Sequence, residues 1–188
     1  MLEKILTEEK ISKEMIDRVT RLPLEKIVDE LNNHKITSKQ LTAIYCYRSA
    51  TIGLRLNLIT EVNFEAAIRQ AEHCDEVRKS SKKRNWTFND SEEKIGEFLH
   101  PLFGVPISIK DTFDIKGLSS TIGITHRAFD LKAEDGVIVS AMKEGGLIPF
   151  TKSNVPQLAM IYDCYNFLWN RGMNPWNESR SIGGSSGG

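Results

Sequence analysis

Apolar positions in the first half of the chain recur at helical spacing. Leu24, Ile27, Val28 and Leu31 follow Pro23 in this way, which predicts a helix with the proline at an early position. Asn32-Asn33-His34 breaks that helix. Thr37 or Ser38 can then cap a second one carrying Leu41, Ile44, Tyr45 and Arg48 on one face. A third begins near Asn63, with Phe64, Ala67, Ile68, Ala71 and Cys74 as its apolar stripe. Each stripe reads as a surface that packs against a core. Residues 79–98 are rich in Ser, Lys, Asn, Asp and Glu and read as a loop or insertion.

The pattern changes at Leu102. Residues 103–109 (FGVPISI) are short, apolar and β-branched, and predict a buried strand that delivers Lys110 and Asp111 at its C-terminal end. Asp135 is placed to cap a helix containing Val137, Ile138, Ala141 and Met142, which Gly145-Gly146 closes. Leu147-Ile148-Pro149-Phe150 predicts another strand, ending in Thr151-Lys152. Residues 170–181 (NRGMNPWNESRS) read as turn chemistry rather than strand. Helices alternating with short apolar strands predict an α/β sheet.

Composition narrows the class without choosing it. The 188 residues are 40% hydrophobic and 27% charged, with 25 basic side chains balancing 25 acidic ones. No whole-chain field therefore draws the protein toward nucleic acid or anionic lipid. The basic run at 79–84 (KSSKKR) reads as a solvated helix end or loop, because no aromatic platform is interleaved with it. Cys46, Cys74 and Cys164 lack metal-site or disulfide spacing, which suits a reducing compartment. The charged start has no signal-peptide apolar block, and no apolar stretch approaches the roughly 20 residues of a membrane span. A cytoplasmic location is expected, with peripheral membrane contact left open.

Two features carry chemistry. Lysine is rarely buried unless paired or used, and Lys110 ends an apolar strand. Desolvation favours the neutral amine, which can act as a base. The alternative is a Lys110 that snorkels to solvent or pairs with Asp111 or Asp114. The second feature is the terminal run Gly183-Gly184-Ser185-Ser186-Gly187-Gly188, which presents hydroxyls and backbone N–H groups at close range. A phosphate-binding Walker loop needs a lysine that this run lacks. A linker stays open, although linkers seldom follow a Trp-containing segment such as Asn174-Pro175-Trp176. The run also satisfies G-x-S-x-G, but that hydrolase elbow needs a preceding strand and a later histidine. All four histidines, His34, His73, His100 and His126, come before it.

Gly104-Val105-Pro106-Ile107-Ser108-Ile109-Lys110-Asp111, followed by Lys152-Ser153-Asn154-Val155-Pro156-Gln157 and then by residues 183–188, resembles the amidase-signature hydrolases in motif order. Tyr162-Asp163-Cys164 and Asn174-Pro175-Trp176 most resemble the fatty-acid amide hydrolase and fungal amidase branch. The likeness runs from about Ile36 onward. It implies an α/β fold with a mixed sheet flanked by helices, of which only the N-terminal part is expected here: a helical region over 1–98 and the start of the core over 99–188. The implied activity is hydrolysis of a carbon–nitrogen amide bond, fatty-acid amides included, without metal or organic cofactor. The implied catalytic group is a Ser–Ser–Lys triad. Lys110 matches its base and Ser185 its bridging serine, which in the family follows a cis peptide bond. Ser186, Gly183 and Gly184 match supporting positions, while Ala159, Met160 and Ile161 match the acyl-pocket stretch and would serve equally as core.

The resemblance places the nucleophilic serine and its oxyanion donors in a further glycine-rich turn past Ser185, so the isolated chain is expected to be inactive. The implied partner is a small-molecule amide, with no nucleic acid and with a homo-oligomer left open. Two rivals remain at this level: a glutaminase-type amidotransferase subunit, and a non-catalytic product of a truncated gene. The sheet half is expected to expose apolar surface and to be marginally stable, with a mobile tail from Ser181 to Gly188.

Overall fold

The computed structural model describes residues 1–81, 84–85 and 98–188. Two compact units emerge. The helical unit comprises Met1–Tyr47, Glu65–Pro106 and Met142–Ile148, and the sheet unit comprises Arg48–Phe64, Ile107–Ala141 and Pro149–Gly188. Most of the loop expected at 79–98, including Lys82 and Lys83 of the basic run, lies outside the described residues.

In the helical unit, α1 (Leu2–Glu8) and α2 (Lys13–Val19) precede α3 (Leu24–Asn32), α4 (Ser38–Arg48) and α5 (Phe64–Ser80). The predicted stripes face inward. Ile27, Val28 and Leu31 of α3 join Leu41, Ala43 and Ile44 of α4, Ile68 of α5 and Val105 in one buried cluster. Leu24 departs from its stripe and is exposed at the first position of α3. The opening helices α1 and α2 were not among the predicted elements, although Ser12 signals α2 locally by accepting from the Met15 N–H (3.2 Å).

Of the two candidate caps for α4, Thr37 is the one used. Its Oγ1 accepts from the Gln40 N–H (3.0 Å), while Gln40 Oε1 accepts from the Thr37 N–H (3.1 Å). This reciprocal box satisfies two otherwise orphaned donors. Asp75 of α5 accepts from the Ser38 and Lys39 N–H groups (2.7 and 3.0 Å), placing a carboxylate at the positive end of α4. Gly104 has φ +80°, and a Cβ there would lie 2.1 Å from Ser38 Oγ, so the position requires glycine for both backbone and space. Beside it, Arg78 Nη2 donates to the Phe103 carbonyl (2.6 Å).

Two-residue strands β2 (Arg84–Asn85) and β3 (Phe98–Leu99) pair in parallel. The main sheet has the order β1 (Ile59–Val62), β5 (Ile148–Ser153), β4 (Pro106–Lys110). β1 runs antiparallel to β5, with Ile59 opposite Ser153 and Val62 opposite Thr151, and a register shift between Ile59 and Glu61. On the other side, the Ile148 N–H donates to Val105 O and the Asp111 N–H to Ser153 O (2.9 and 3.0 Å). Residue numbers rise together along that pair, as parallel pairing requires. The protein is thus α/β with a mixed sheet.

Three expectations need correction. The strand expected at 103–109 begins at Pro106 rather than Phe103, because residues 101–104 form a turn. Of β4 only Ile109 is buried, since this strand has a single neighbour among the described residues, whereas β5 is buried throughout. The segment at 170–181 is not turn alone. Met173–Asn174 (β6) and Asn177–Ser181 (β7) form an antiparallel hairpin, whose turn is closed by Asn174 Oδ1 accepting from the Trp176 N–H (2.9 Å) around Pro175. Helix α6 (Val137–Glu144) forms as predicted. The Asp135 carboxylate, however, accepts from the Lys116 N–H (2.8 Å), and Gly136 immediately precedes the helix. No helix among the described residues is long and apolar enough to cross a membrane.

Candidate active site

Lys110 is the last residue of β4, and Asp111 follows it. Successive residues along an extended chain point to opposite sides, and these two side chains part accordingly. Lys110 Nζ donates to Ser185 Oγ at 2.7 Å. Asp111 goes to the buried side, where its Oδ1 lies 2.9 Å from Lys152 Nζ, an ion pair between side chains that are both 0% exposed. Asp111 is therefore the partner of Lys152, and the alternative in which it neutralises Lys110 does not hold. Lys110 is half-buried rather than largely buried, because its strand lies at the sheet edge.

The buried pair has further partners on both sides. Lys152 Nζ also donates to Ser119 O and, at 2.9 Å, to Ser120 Oγ. Asp111 Oδ2 accepts from Thr121 Oγ1, which itself accepts from Trp169 Nε1 (2.9 Å) and from the Gly123 N–H (3.1 Å). With both neighbours donating, the one Thr121 proton points at Asp111, whose Oδ2 accepts it. Glu61, half-buried nearby, accepts from the Ser119 N–H (2.8 Å). Burial pushes its carboxyl above the usual range, opposed by that hydrogen bond and by Lys152.

A second network holds the serine loop. Asn154, fully buried, donates from Nδ2 to the carbonyls of Asn57 (2.8 Å) and Asn170 (3.3 Å) and accepts at Oδ1 from Asn166 Nδ2 (2.9 Å). Its own carbonyl accepts from the Gly187 N–H (2.9 Å). A Cβ on Gly187 would lie 2.1 Å from Cys164 Sγ, so only glycine lets the backbone approach so closely. Burial pushes the Cys164 thiol up to about 11. The Gly184–Ser185 peptide bond is cis, as the resemblance implies. Within the tail expected to be mobile, the Gly187 backbone is held by Asn154.

The structure brings together Lys110, Ser185, Gly183 and Gly184. Ser186 is exposed beside them. Met160 and Ile161 are exposed and Ala159 is half-exposed, so these three line an open surface rather than a closed core. Sequence reasoning passed over Lys152, Asn154 and Asn166. A signal existed for the first: two neighbouring apolar strands end in opposite charges, Asp111 after one and Lys152 in the other.

A glycine-serine loop thus lies beside a strand-end lysine, the juxtaposition that the resemblance implies. The Amidase family pattern matches residues 40–188. The chain is 32% identical to Fatty acid amide hydrolase 1 of Caenorhabditis elegans over 181 residues, covering 96% of this chain and 29% of that protein. It is 30% identical to Amidase 1 of Gibberella moniliformis over 165 residues, covering 88% and 29%. A solved structure of fatty acid amide hydrolase superposes with a TM-score of 0.78 at 20% identity, over all of this chain and 32% of that one. The chain belongs to the Amidase family. It spans about a third of the length of the relatives it matches.

Proposed function

We propose that the protein to which these residues belong hydrolyses carbon–nitrogen amide bonds, fatty-acid amides among them, through a Ser–Ser–Lys relay. The observation that carries this reading is the 2.7 Å contact between Lys110 Nζ and Ser185 Oγ. In the relay, a neutral Lys110 takes the proton of Ser185, while Ser185 takes that of the nucleophilic serine as it attacks the amide carbonyl. The same chain of groups, run in reverse, delivers a proton to the leaving amine. Gly183 and Gly184 shape the loop, and Ser186 supports it by hydrogen bonding. The exposed apolar side chains of Met160 and Ile161, with Ala159, suit contact with an acyl chain, and relatives named fatty acid amide hydrolase support that substrate class.

The resemblance puts the nucleophile and oxyanion donors past Ser185, so a polypeptide of residues 1–188 is expected to turn over no amide. The test uses a family-length protein carrying these residues. Lys110→Ala is expected to lower the amide hydrolysis rate roughly 10³-fold or more, and a variant that keeps near-normal rate would remove Lys110 from the mechanism. A fluorophosphonate probe applied to residues 1–188 should leave Ser185 and Ser186 unlabelled.

A further inference from the structure

The segment Tyr162-Asp163-Cys164 has no part in the relay, yet its backbone and side chains touch the serine loop at successive points. Asp163 Oδ1 accepts from Ser181 Oγ and from the Cys164 N–H (2.8 Å). Ser181 Oγ in turn accepts from the Gly183 N–H (2.9 Å). That hydroxyl has one proton and receives one donor, so its proton can serve only Asp163 in this arrangement. The second oxygen, Oδ2, lies 3.1 Å from Arg171 Nη2. One residue further along the loop, a Cβ on Gly184 would meet the Asp163 backbone at 2.7–2.9 Å. Two residues beyond Ser185, Gly187 lies against Cys164 Sγ. The dipeptide therefore underlies the loop before and after the position of Ser185.

We infer that Asp163 is a positioning residue for the serine loop: through Ser181 and Gly183 it holds Ser185 in register with Lys110. An acceptor is the whole of its task at Oδ1. The ion pair with Arg171, between side chains that are 35% and 51% exposed, steers the carboxylate and is secondary, since exposed pairs contribute little. The Ser181 hydrogen bond also holds the Asp163 carboxyl below the usual carboxylate range, consistent with an ionised acceptor near neutrality. An asparagine that presents its oxygen to Ser181 and Cys164 keeps this function, and an alanine loses it.

The first test needs no catalysis and uses the 188-residue chain. Hydrogen exchange at the Gly183 and Gly187 amides is compared among wild type, Asp163→Asn, Asp163→Ala and Ser181→Ala. The alanine variants at 163 and 181 are expected to speed exchange at Gly183 roughly tenfold or more, the loss expected for a hydrogen bond anchored on a charged group, with exchange in α4 unchanged. Asp163→Asn is expected to stay within about threefold of wild type on the same basis. Unchanged Gly183 exchange in Asp163→Ala or Ser181→Ala would overturn the assignment, as would equal acceleration in Asp163→Asn.

The catalytic consequence rests on the amidase reading and is tested in the family-length protein. Asp163→Ala should lower kcat about 10- to 100-fold, the factor equivalent to losing one charge-anchored hydrogen bond, with KM little changed and Asp163→Asn restoring most of the rate. Unaltered kcat in Asp163→Ala would sink the positioning role. A wild-type protein that hydrolyses no amide would sink the amidase reading, and the exchange experiment would still judge Asp163.

Discussion

The helical unit and the sheet unit use polar groups in opposite ways. In the first, Leu31, Leu41, Ile44 and their neighbours fill the interior, and polar side chains such as Thr37, Gln40 and Asp75 work at helix ends. In the second, Lys152, Asp111, Thr121 and Asn154 are among the most deeply buried residues. Large apolar side chains meanwhile stand outside: Trp176 is 95%, Val137 87% and Met160 78% exposed. An apolar interior is non-directional and tolerates local adjustment, whereas a buried polar network specifies its geometry because each unmet group is costly. The unit that holds the candidate catalytic pair is the one built on directional bonds.

Breaking the buried ion pair is the strongest challenge to this contrast. Lys152→Met leaves the Asp111 carboxylate buried with Thr121 as its remaining side-chain partner, and should cost about 3–5 kcal/mol in urea unfolding of the 188-residue chain. Adding Asp111→Leu should recover part of that loss, since removing both charges relieves the unpaired one. A Lys152→Met variant as stable as wild type would show that the network does not hold the sheet unit together. In the helical unit, Leu41→Ala should cost about 2–5 kcal/mol through lost contacts and a residual cavity. Hydrogen exchange should assign that loss to α3–α5, and an effect spread evenly over β5 as well would merge the two units into one cooperative block.

Acid titration separates two carboxylates of the sheet unit by sign. Asp163 has a folded value below its ordinary 3.8, so its contribution is complete above that value and is lost as pH falls through the lower one. Glu61 has a folded value above its ordinary 4.5. Its ionisation therefore erodes stability as pH rises from 4.5 through the raised value. Glu61→Gln should flatten that decline, and Asp163→Asn should flatten the acid-side loss. Denaturation midpoints across pH 2–7, roughly the span in which carboxylates titrate, check both; slopes of the opposite sign would reverse the assignments. The smallest effect belongs to the surface. Val137→Ser should change stability by no more than about 0.5 kcal/mol, with reduced light scattering at high concentration. A larger loss would mean that the exposed apolar residues are structural.

Legibility in the sequence follows the same division. Ile27, Val28, Leu31, Leu41, Ile44, Ala67 and Ala71 announced their burial by spacing, because an apolar core leaves a periodic trace. The approach of Lys110 to Ser185 was legible through strand-end position and ordered motifs. Asn154 and Asn166 left no such trace: a polar residue in a loop looks the same whether it faces water or closes a network. The β6–β7 hairpin was hidden for a related reason. β6 is only two residues long and β7 is polar and mostly exposed, so turn chemistry outweighs strand propensity, which depends on the packing a strand receives.

The three thiols of the chain are all buried, two in the helical unit and Cys164 beneath Gly187. Burial raises the Cys164 thiol to about 11, so little of it is the reactive thiolate at neutral pH. An alkylating reagent must also wait for Gly187 to lift before it can reach the sulfur. The modification rate of Cys164 is therefore a clock for the opening of the serine loop, built into the chain without any added label. Cys46 and Cys74, pushed up to about 12 and 11, are buried in the helical unit in the same way, with Cys46 the less reactive of the two.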